Sequence, residues 1–499
     1  MTIGLLLDVA IALALIWLFK VFLLHYAYGG DKLREVPGPP PKAFFGNVTE
    51  LMHDPLQVLS RYRAEYGGIF KYYYFTDPVV AISDPEHVKQ ILSTKSDNYP
   101  KDRDPVIIDV IGNGLLLTNG HFWRRQRKIM SPTFGTLYLK AMVPCFTQVT
   151  SVLLQSWEDS LFSNSNGRER LSHSVPSQPF NLHSDMTKVT LDIIGVAGFG
   201  YEFNSLTDSE GVIPKAVTTV LSETEYRIFQ RRPSWWWKLP LPSNNKFSKA
   251  KAVLMREISD MIARRRASGE DLSKSKDLLG RLLAAEDPDT GETISDTQLS
   301  DELITFLIAG HETTAASLAF TLYLISQHPH IEKKVLEEVD HVMAGRDEPT
   351  FEDLQKLCYL PQVMKESMRL YPPVSMQTTR ITAADDRIGS YFIPKGTFIE
   401  IYPWLMHRAE ELWEDPLSFR PERFAGPPSD YNHKYAPFGQ GPRNCIGQGL
   451  ALLESKVVLC MILNKYTLRM ANNHAMTPVL SITLRPDDLV MQLHPRQKL

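Results

Sequence analysis

Cysteine is scarce in this chain, with 4 in 499 residues: Cys145, Cys358, Cys445 and Cys460. So few, so widely spaced, exclude a disulfide framework and suit a reducing compartment. An excess of charge of either sign is also missing, because 54 Lys and Arg stand against 57 Asp and Glu. That balance excludes a nucleic-acid surface as the main business of the protein. Beyond about residue 45 there is no internal repeat and no long low-complexity linker, which excludes a repeat architecture. Glycine (28) is outnumbered by proline (34). What remains is a chain able to bury a sizeable core without staples. Its length allows about three domains of ~150 residues or one large unit.

The first residues differ from the rest. From Ile3 to Leu24 the chain is apolar except for Asp8 and Lys20. About 22 residues at ~1.5 Å each give a helix of roughly 33 Å, enough to cross a bilayer. No basic stretch precedes this segment and no small-residue cleavage site follows, so residues 1–28 are expected to form an uncleaved transmembrane anchor. Lys32 and Arg34 follow it, which places the bulk of the chain on the cytoplasmic side. The run Val36-Pro37-Gly38-Pro39-Pro40-Pro41 forbids helix, and residues 29–45 read as a stiff proline-rich tether. The sequon Asn47-Val48-Thr49 offers a topology check, since a cytoplasmic head predicts no glycan there.

Helical periodicity dominates residues 46–499, expected to be one catalytic domain. Strand-like runs fall near the two ends: 69–75 with 79–83, 387–392 with 397–402, and a pair at 479–484 and 489–493. The fold class is therefore mainly α with small β-sheets.

Candidate chemistry concentrates at Phe438-Gly439-Gln440-Gly441-Pro442-Arg443-Asn444-Cys445-Ile446-Gly447. Its glycines permit a tight loop and the close approach of a flat ligand. Cys445 precedes an apolar helix expected over 446–464, and a helix N-terminus favours a thiolate. A soft anionic sulfur in a rigid loop is a plausible axial ligand for haem iron. By itself a lone cysteine is more often a buried thiol.

The spacing Phe-x-x-Gly-x-Arg-x-Cys-x-Gly resembles that of the haem-thiolate monooxygenases, the cytochromes P-450, and three upstream stretches agree with it. Glu366 and Arg369 share a helix face near 361–370. With Arg423 of Pro421-Glu422-Arg423-Phe424, the resemblance makes them a buried structural network that fixes the cysteine loop. Ala309-Gly310-His311-Glu312-Thr313-Thr314 sits in a helix of about 30 residues, opened by a Ser295/Gln298 capping box and ended before Pro329. The resemblance implies a long central helix over the haem, bent near Gly310, with Thr313 and Glu312 delivering protons. Trp123-Arg124-Arg125-Gln126-Arg127 is the third stretch. Here Trp123 and Arg127, with Arg443 and Arg380, are implied ligands of the haem propionates, and Phe438 and Gly447 shape the loop. Arg124, Arg125 and Lys128 then offer a basic patch for an acidic reductase.

The cofactor implied is haem b, with the Cys445 thiolate as its iron ligand and metal site. Some fatty-acid ω-hydroxylases carry a Glu where this chain has Ala309, so non-covalent haem is expected. NADPH serves indirectly, through a partner flavoprotein reductase. The substrate is a lipophilic small molecule of fatty-acid, terpenoid or sterol-like type. Its pocket is expected to be lined by Val106, Ile111, Leu115, Leu307, Ile308, Ala309, Val374, Met376 and Ile482. The anchor suits the microsomal branch, hence the endoplasmic reticulum membrane. Two other readings stay open: an isomerase or dehydratase of lipid hydroperoxides on the same fold, and a membrane-anchored haem sensor. The start of a calcium loop at Asp287-Pro288-Asp289-Thr290-Gly291 is discounted because Gln298 occupies its twelfth position. Trp235-Trp236-Trp237, between Arg231-Arg232 and Pro240, reads as an interfacial loop.

Overall fold

The computed structural model describes residues 33–42, 45–163, 177–230, 232–471 and 476–496, with 8, 11–19 and 22 near the N-terminus. Most of the expected anchor, residues 1–28, lies outside the described residues; the stretch 11–19 is helical, with Leu13, Leu15, Ile16, Trp17 and Phe19 exposed. The chain divides into two compact, interleaved units. The first comprises Met1–Asp102, Ser375–Leu417 and Ser429–Asn444; the second comprises Arg103–Val374, Ser418–Pro428 and Cys445–Leu499.

The first unit is built on a four-stranded sheet. Ile69–Tyr74 and Asp77–Ile82 form an antiparallel hairpin, the second of these pairs in parallel with Phe398–Ile401, and Arg380–Ile381 closes the far edge. β-Branched side chains from these strands, Val80, Ile82, Ile399 and Ile401, are buried with Ile91, Leu92, Ile388 and Ile393. Within the sheet Glu400 is buried and accepts from the Tyr72 and Tyr402 hydroxyls. The described part of the proline segment packs against the sheet. Lys71 N–H donates to Pro37 O at 2.7 Å, and Leu33 and Val36 are buried in the core. A Cβ on Gly38 would lie 2.0 Å from Lys71 O, so this close approach needs glycine. Asn47 is fully buried, accepting from Tyr73 N–H and donating to Pro40 O. A glycan is therefore excluded by packing on either side of a membrane, and the sequon does not report topology.

Two strand pairings differ from expectation. The run at 387–392 closes on itself as the hairpin Asp386–Ile388 with Tyr391–Ile393, while Phe398–Ile401 pairs elsewhere. In the second unit, Thr477–Leu480 pairs with Leu484–Asp487, and Val490–Pro495 joins Tyr466–Met470 and Phe180–Asn181. Local patterning marks strands, but partners far along the chain leave no trace in a single sequence.

The second unit is helical. The helices that frame its site are α1 (Pro105–Ile111), α2 (Gly120–Met130), α3 (Leu182–Ile193), α4 (Val212–Gln230), α5 (Pro242–Ala267), α6 (Asp296–Gln327), α7 (Tyr359–Leu370) and α8 (Gln448–Lys465). The capping box of α6 forms as expected, with the Ser295 hydroxyl accepting Gln298 N–H at 3.3 Å. Its 32 residues make it about 48 Å long. Among the described residues two helices have the length and apolarity to span a membrane, Thr136–Leu161 and α6, but half of the first apolar window and 72% of the second are buried within the fold.

The expected charge network is present and buried. Arg369 donates from Nε and Nη2 to Glu366 at 2.7 and 2.8 Å, and both residues have no exposed surface. Arg423 Nε reaches Glu366 at 3.2 Å, the Arg420 N–H at 2.9 Å, and Arg369 also donates to Ser418 O. Removing one partner leaves the other charge buried and unpaired. Arg369→Met is expected to cost about 3–5 kcal/mol, read as a lowered denaturation midpoint of the haem-loaded protein.

Candidate functional site

On α6, residues 302, 306, 309 and 313 fall on one stripe by helical spacing. Ala309 is exposed and Thr313 is half-buried. The Thr313 hydroxyl donates to Ala309 O at 2.7 Å, and that of Thr314 to Gly310 O at 2.8 Å. The helix stays α-helical across these positions. A Cβ on Gly310 would meet only Ile194 side-chain carbons at 3.6 and 3.8 Å, which is ordinary contact. Next to this stripe His311 is fully buried. Its Nδ1 lies 2.7 Å from Leu307 O, its carbonyl accepts from Thr190, and burial pushes its pKa down to about 4, so the ring is neutral. Burial raises the Glu312 carboxyl above its ordinary value and a second carboxylate, Glu225, adds to the rise; the Arg485 guanidinium opposes it. The Thr483 hydroxyl lies close enough to lower it slightly, yet makes no hydrogen bond of ordinary geometry.

The cysteine loop straddles the division between the units. In the first unit Gly439 and Gly441 have φ of 71° and 69°, and a Cβ on Gly441 would lie 2.1 Å from Leu92 O, so Gly441 is required there. In the second unit Cys445 is exposed, and α8 starts at Gln448 with Gly447 as its N-cap, two residues later than the sequence suggests. A Cβ on Gly447 would stand 3.9 Å from Cys445 Sγ. In α2, Trp123 is buried and Arg127 half-buried. Burial lowers the Arg127 pKa, and Cys445 is near enough to raise it.

Arg380, in the first unit, is buried. It donates to Tyr99 O at 2.9 Å, but its Nε has no partner and no carboxylate pairs with it among the described residues. Burial pushes its pKa down to about 10. A buried guanidinium without a counter-ion calls for an anion. The buried Arg380 guanidinium fits an acid group of a ligand, and the exposed Cys445 thiol after a glycine loop fits a thiophilic metal.

Other expected residues are placed less simply. Ile308, Val374 and Val106 are half-buried and Ile482 is exposed, so they present apolar surface. Met376 is half-buried in the first unit. Ile111, Leu115 and Leu307 are buried in the core. Leu307 lies one turn from His311, on the face of α6 that packs against α3. The basic patch of α2 is largely neutralised within the chain. Arg125 pairs with Asp287 and Glu292 at 3.0 and 2.9 Å, and Lys128 with Asp289 at 2.6 Å. The calcium-like loop thus serves as a counter-charge for α2. Trp235 is exposed, while Trp236 stacks under Arg232 and Trp237 under Arg227.

One residue escaped the sequence reading. Glu302 is fully buried on the stripe of Ala309, two turns earlier, and accepts Leu115 N–H at 2.9 Å. Burial pushes its pKa up to about 8, from an ordinary 4.5. A folded-state carboxyl with a raised pKa binds more protons than the unfolded chain, so stability falls as pH rises through that window. Glu302→Gln keeps an acceptor for Leu115, and is expected to flatten the slope between about pH 5 and 8 in denaturant titrations.

The chain matches the family model described as Cytochrome P450 over residues 36–493. It is 35% identical over 425 residues to Protein LUTEIN DEFICIENT 5, chloroplastic, of Arabidopsis thaliana, covering 81% of this chain and 68% of that one. It is 32% identical over 440 residues to cyclooctat-9-en-7-ol 5-monooxygenase of Streptomyces melanosporofaciens, covering 87% and 89% respectively. Bifunctional cytochrome P450/NADPH–P450 reductase 2 of Bacillus subtilis (strain 168) is 32% identical over 470 residues, which is 92% of this chain and 42% of its own length. The compartment in the first relative's name is the chloroplast, which lends no support to the endoplasmic reticulum.

Proposed function

Because the chain belongs to the cytochrome P450 family, and is therefore a monooxygenase with a haem-thiolate iron cofactor, we propose that it hydroxylates a lipophilic small molecule with electrons from NADPH passed through a flavoprotein reductase. The observation that carries this reading is the exposed Cys445 thiol at a glycine-walled loop opening onto α8. The reaction consumes dioxygen, two electrons and two protons, placing one oxygen atom in the substrate and the other in water. When bound, the haem iron supplies oxygen activation.

The residues divide the remaining work. Cys445 holds the iron as thiolate. Trp123, Arg127, Arg380 and Arg443 hold the propionates, and Phe438 and Gly447 shape the loop. The Arg380 guanidinium, buried with an unpartnered Nε, supports its assignment. Glu312 stores a proton on a carboxyl whose pKa is raised by burial, and Thr313 passes it on. Ile308, Ala309, Val374 and Ile482 offer apolar surface to the substrate. The substrate is a fatty acid, terpenoid or sterol-like compound; the Streptomyces relative is named for oxygenating cyclooctat-9-en-7-ol, itself a small molecule. The reductase in the names of the fused Bacillus relatives supports an NADPH-dependent partner. Residues 46–499 serve as one catalytic domain, and the N-terminal apolar segment as its membrane anchor.

The test is spectroscopic and kinetic. The reduced, carbon monoxide-bound protein is expected to show a strongly red-shifted Soret band that Cys445→Ser abolishes; an ordinary haem spectrum in the wild type overturns the reading. Thr313→Ala is expected to keep that band while lowering product formation roughly 100-fold, the low end for assisted proton transfer, with reductant diverted to peroxide.

A further inference from the structure

A group of polar side chains gathers around Glu312 on the second unit, none of them named by the motifs. Arg485 lies on the C-terminal hairpin strand Leu484–Asp487, fixed by Leu484 N–H donating to Pro373 O at 2.8 Å. Thr483 lies in the bend that leads into this strand, and it and Leu484 are buried. Arg485 reaches Glu225 of α4 at 4.0 Å, and this pair is part-exposed, with 41% and 28% of the side-chain surfaces open to solvent. Inside it the Thr483 hydroxyl and His183 Nε2, from α3, are buried with no hydrogen-bond partner among the described residues. Burial, with Arg485 and His311 nearby, pushes the His183 pKa down to about 4, so that ring is neutral. Buried polar atoms that lack protein partners are the groups ordered water characteristically serves.

The group joins a part-exposed ion pair to the Glu312 carboxyl. Its outer end is an ion pair, its middle a hydroxyl and a neutral imidazole, and its inner end the Glu312 carboxyl one residue from Thr313. We propose that Arg485 is a positioning residue for the Glu312 carboxyl, and that the Glu225–Arg485 pair is the solvent-facing end of the path by which protons reach Thr313. The inference rests on the proton role given to Glu312 and Thr313 above, and adds where those protons enter. Arg485 and Glu225 act on Glu312 with opposite sign: the cation favours its ionised form and the anion its protonated form. His183 and His311 are neutral, and among the described residues no further charged side chain contributes to Glu312. On top of the larger effect of burial, the Glu225–Arg485 balance therefore tunes how readily Glu312 gives up its proton and is recharged.

The test uses the haem-loaded full chain. The protonated-carboxyl infrared band of Glu312, assigned by its loss in Glu312→Gln, is titrated with pH in the resting protein. Arg485→Met is expected to raise the midpoint by about one pH unit, the low end for losing an opposite charge nearby. Glu225→Gln is expected to lower it. The pH profile of product formation should move in the same two directions, with several-fold more peroxide released per NADPH in Arg485→Met. A merely structural role would not shift the two midpoints in opposite senses. If both variants leave the midpoint and the profile in place while Glu312→Gln suppresses product, the relay is overturned and the role of Glu312 stands. If Glu312→Gln itself leaves product formation and its pH profile unchanged, the underlying proton role fails and the relay falls with it. Glu225→Gln keeps the test decisive should Arg485→Met fail to fold.

Discussion

The second unit depends on a pair of ions that no water reaches. Glu366 and Arg369 are wholly buried, and each is tolerable only because the other is there. Glu366 also takes hydrogen bonds from Arg423 and from the Arg420 backbone, and Arg369 spends a further donor on Ser418 O. Through these contacts α7 grips residues 418–428, a segment inserted from far along the chain. Apolar side chains of similar volume would cost less to bury. They would not fix orientation, because dispersion contacts have no preferred direction, whereas a guanidinium fork meets a carboxylate in few geometries.

Helix α6 meets a related problem differently. It carries Glu302, His311 and Glu312 through an apolar interior without matched partners for each. The two carboxyls are biased toward protonation and the imidazole toward neutrality, all chiefly by burial. Hydroxyls on the same helix turn inward, as Thr305, Thr313, Thr314 and Thr321 each bond a carbonyl one turn back. A helix can then cross the core while carrying exchangeable protons and little net charge.

How much of this was legible in the sequence depends on the distance over which each feature is specified. The capping box at Ser295, the end of α6 before Pro329 and the Glu366–Arg369 spacing are local and were read directly. The role of Arg423 came from resemblance, since nothing local marks it as a partner of residues over fifty positions earlier. Strand pairing was misread at 387–392 and at 479–493 for the same reason: period-two patterning marks a strand and not its neighbour. The basic face of α2 looked like a docking patch because Asp287, Asp289 and Glu292, its counter-charges, lie some 160 residues away. Leu307 was named from resemblance and apolar character, and neither of these shows that it would be buried beside its turn-mate His311.

The buried guanidinium groups carry the last step. Arg127 and Arg380 both have pKa values lowered chiefly by burial, so the fold withdraws water from two guanidinium groups. Arg380 receives no carboxylate in return among the described residues and keeps an unpartnered Nε. The acids of the interior do not compensate, since Glu302 and Glu454 are themselves biased toward the neutral form by burial. Glu366 stays ionised against Arg369, whereas Arg380 is a buried guanidinium that favours charge and has no carboxylate beside it among the described residues. A carboxylate of the prosthetic group is a species of the required sign for Arg380. The cofactor therefore completes an electrostatic balance that the polypeptide leaves open, and haem binding and folding of the site are expected to be thermodynamically linked.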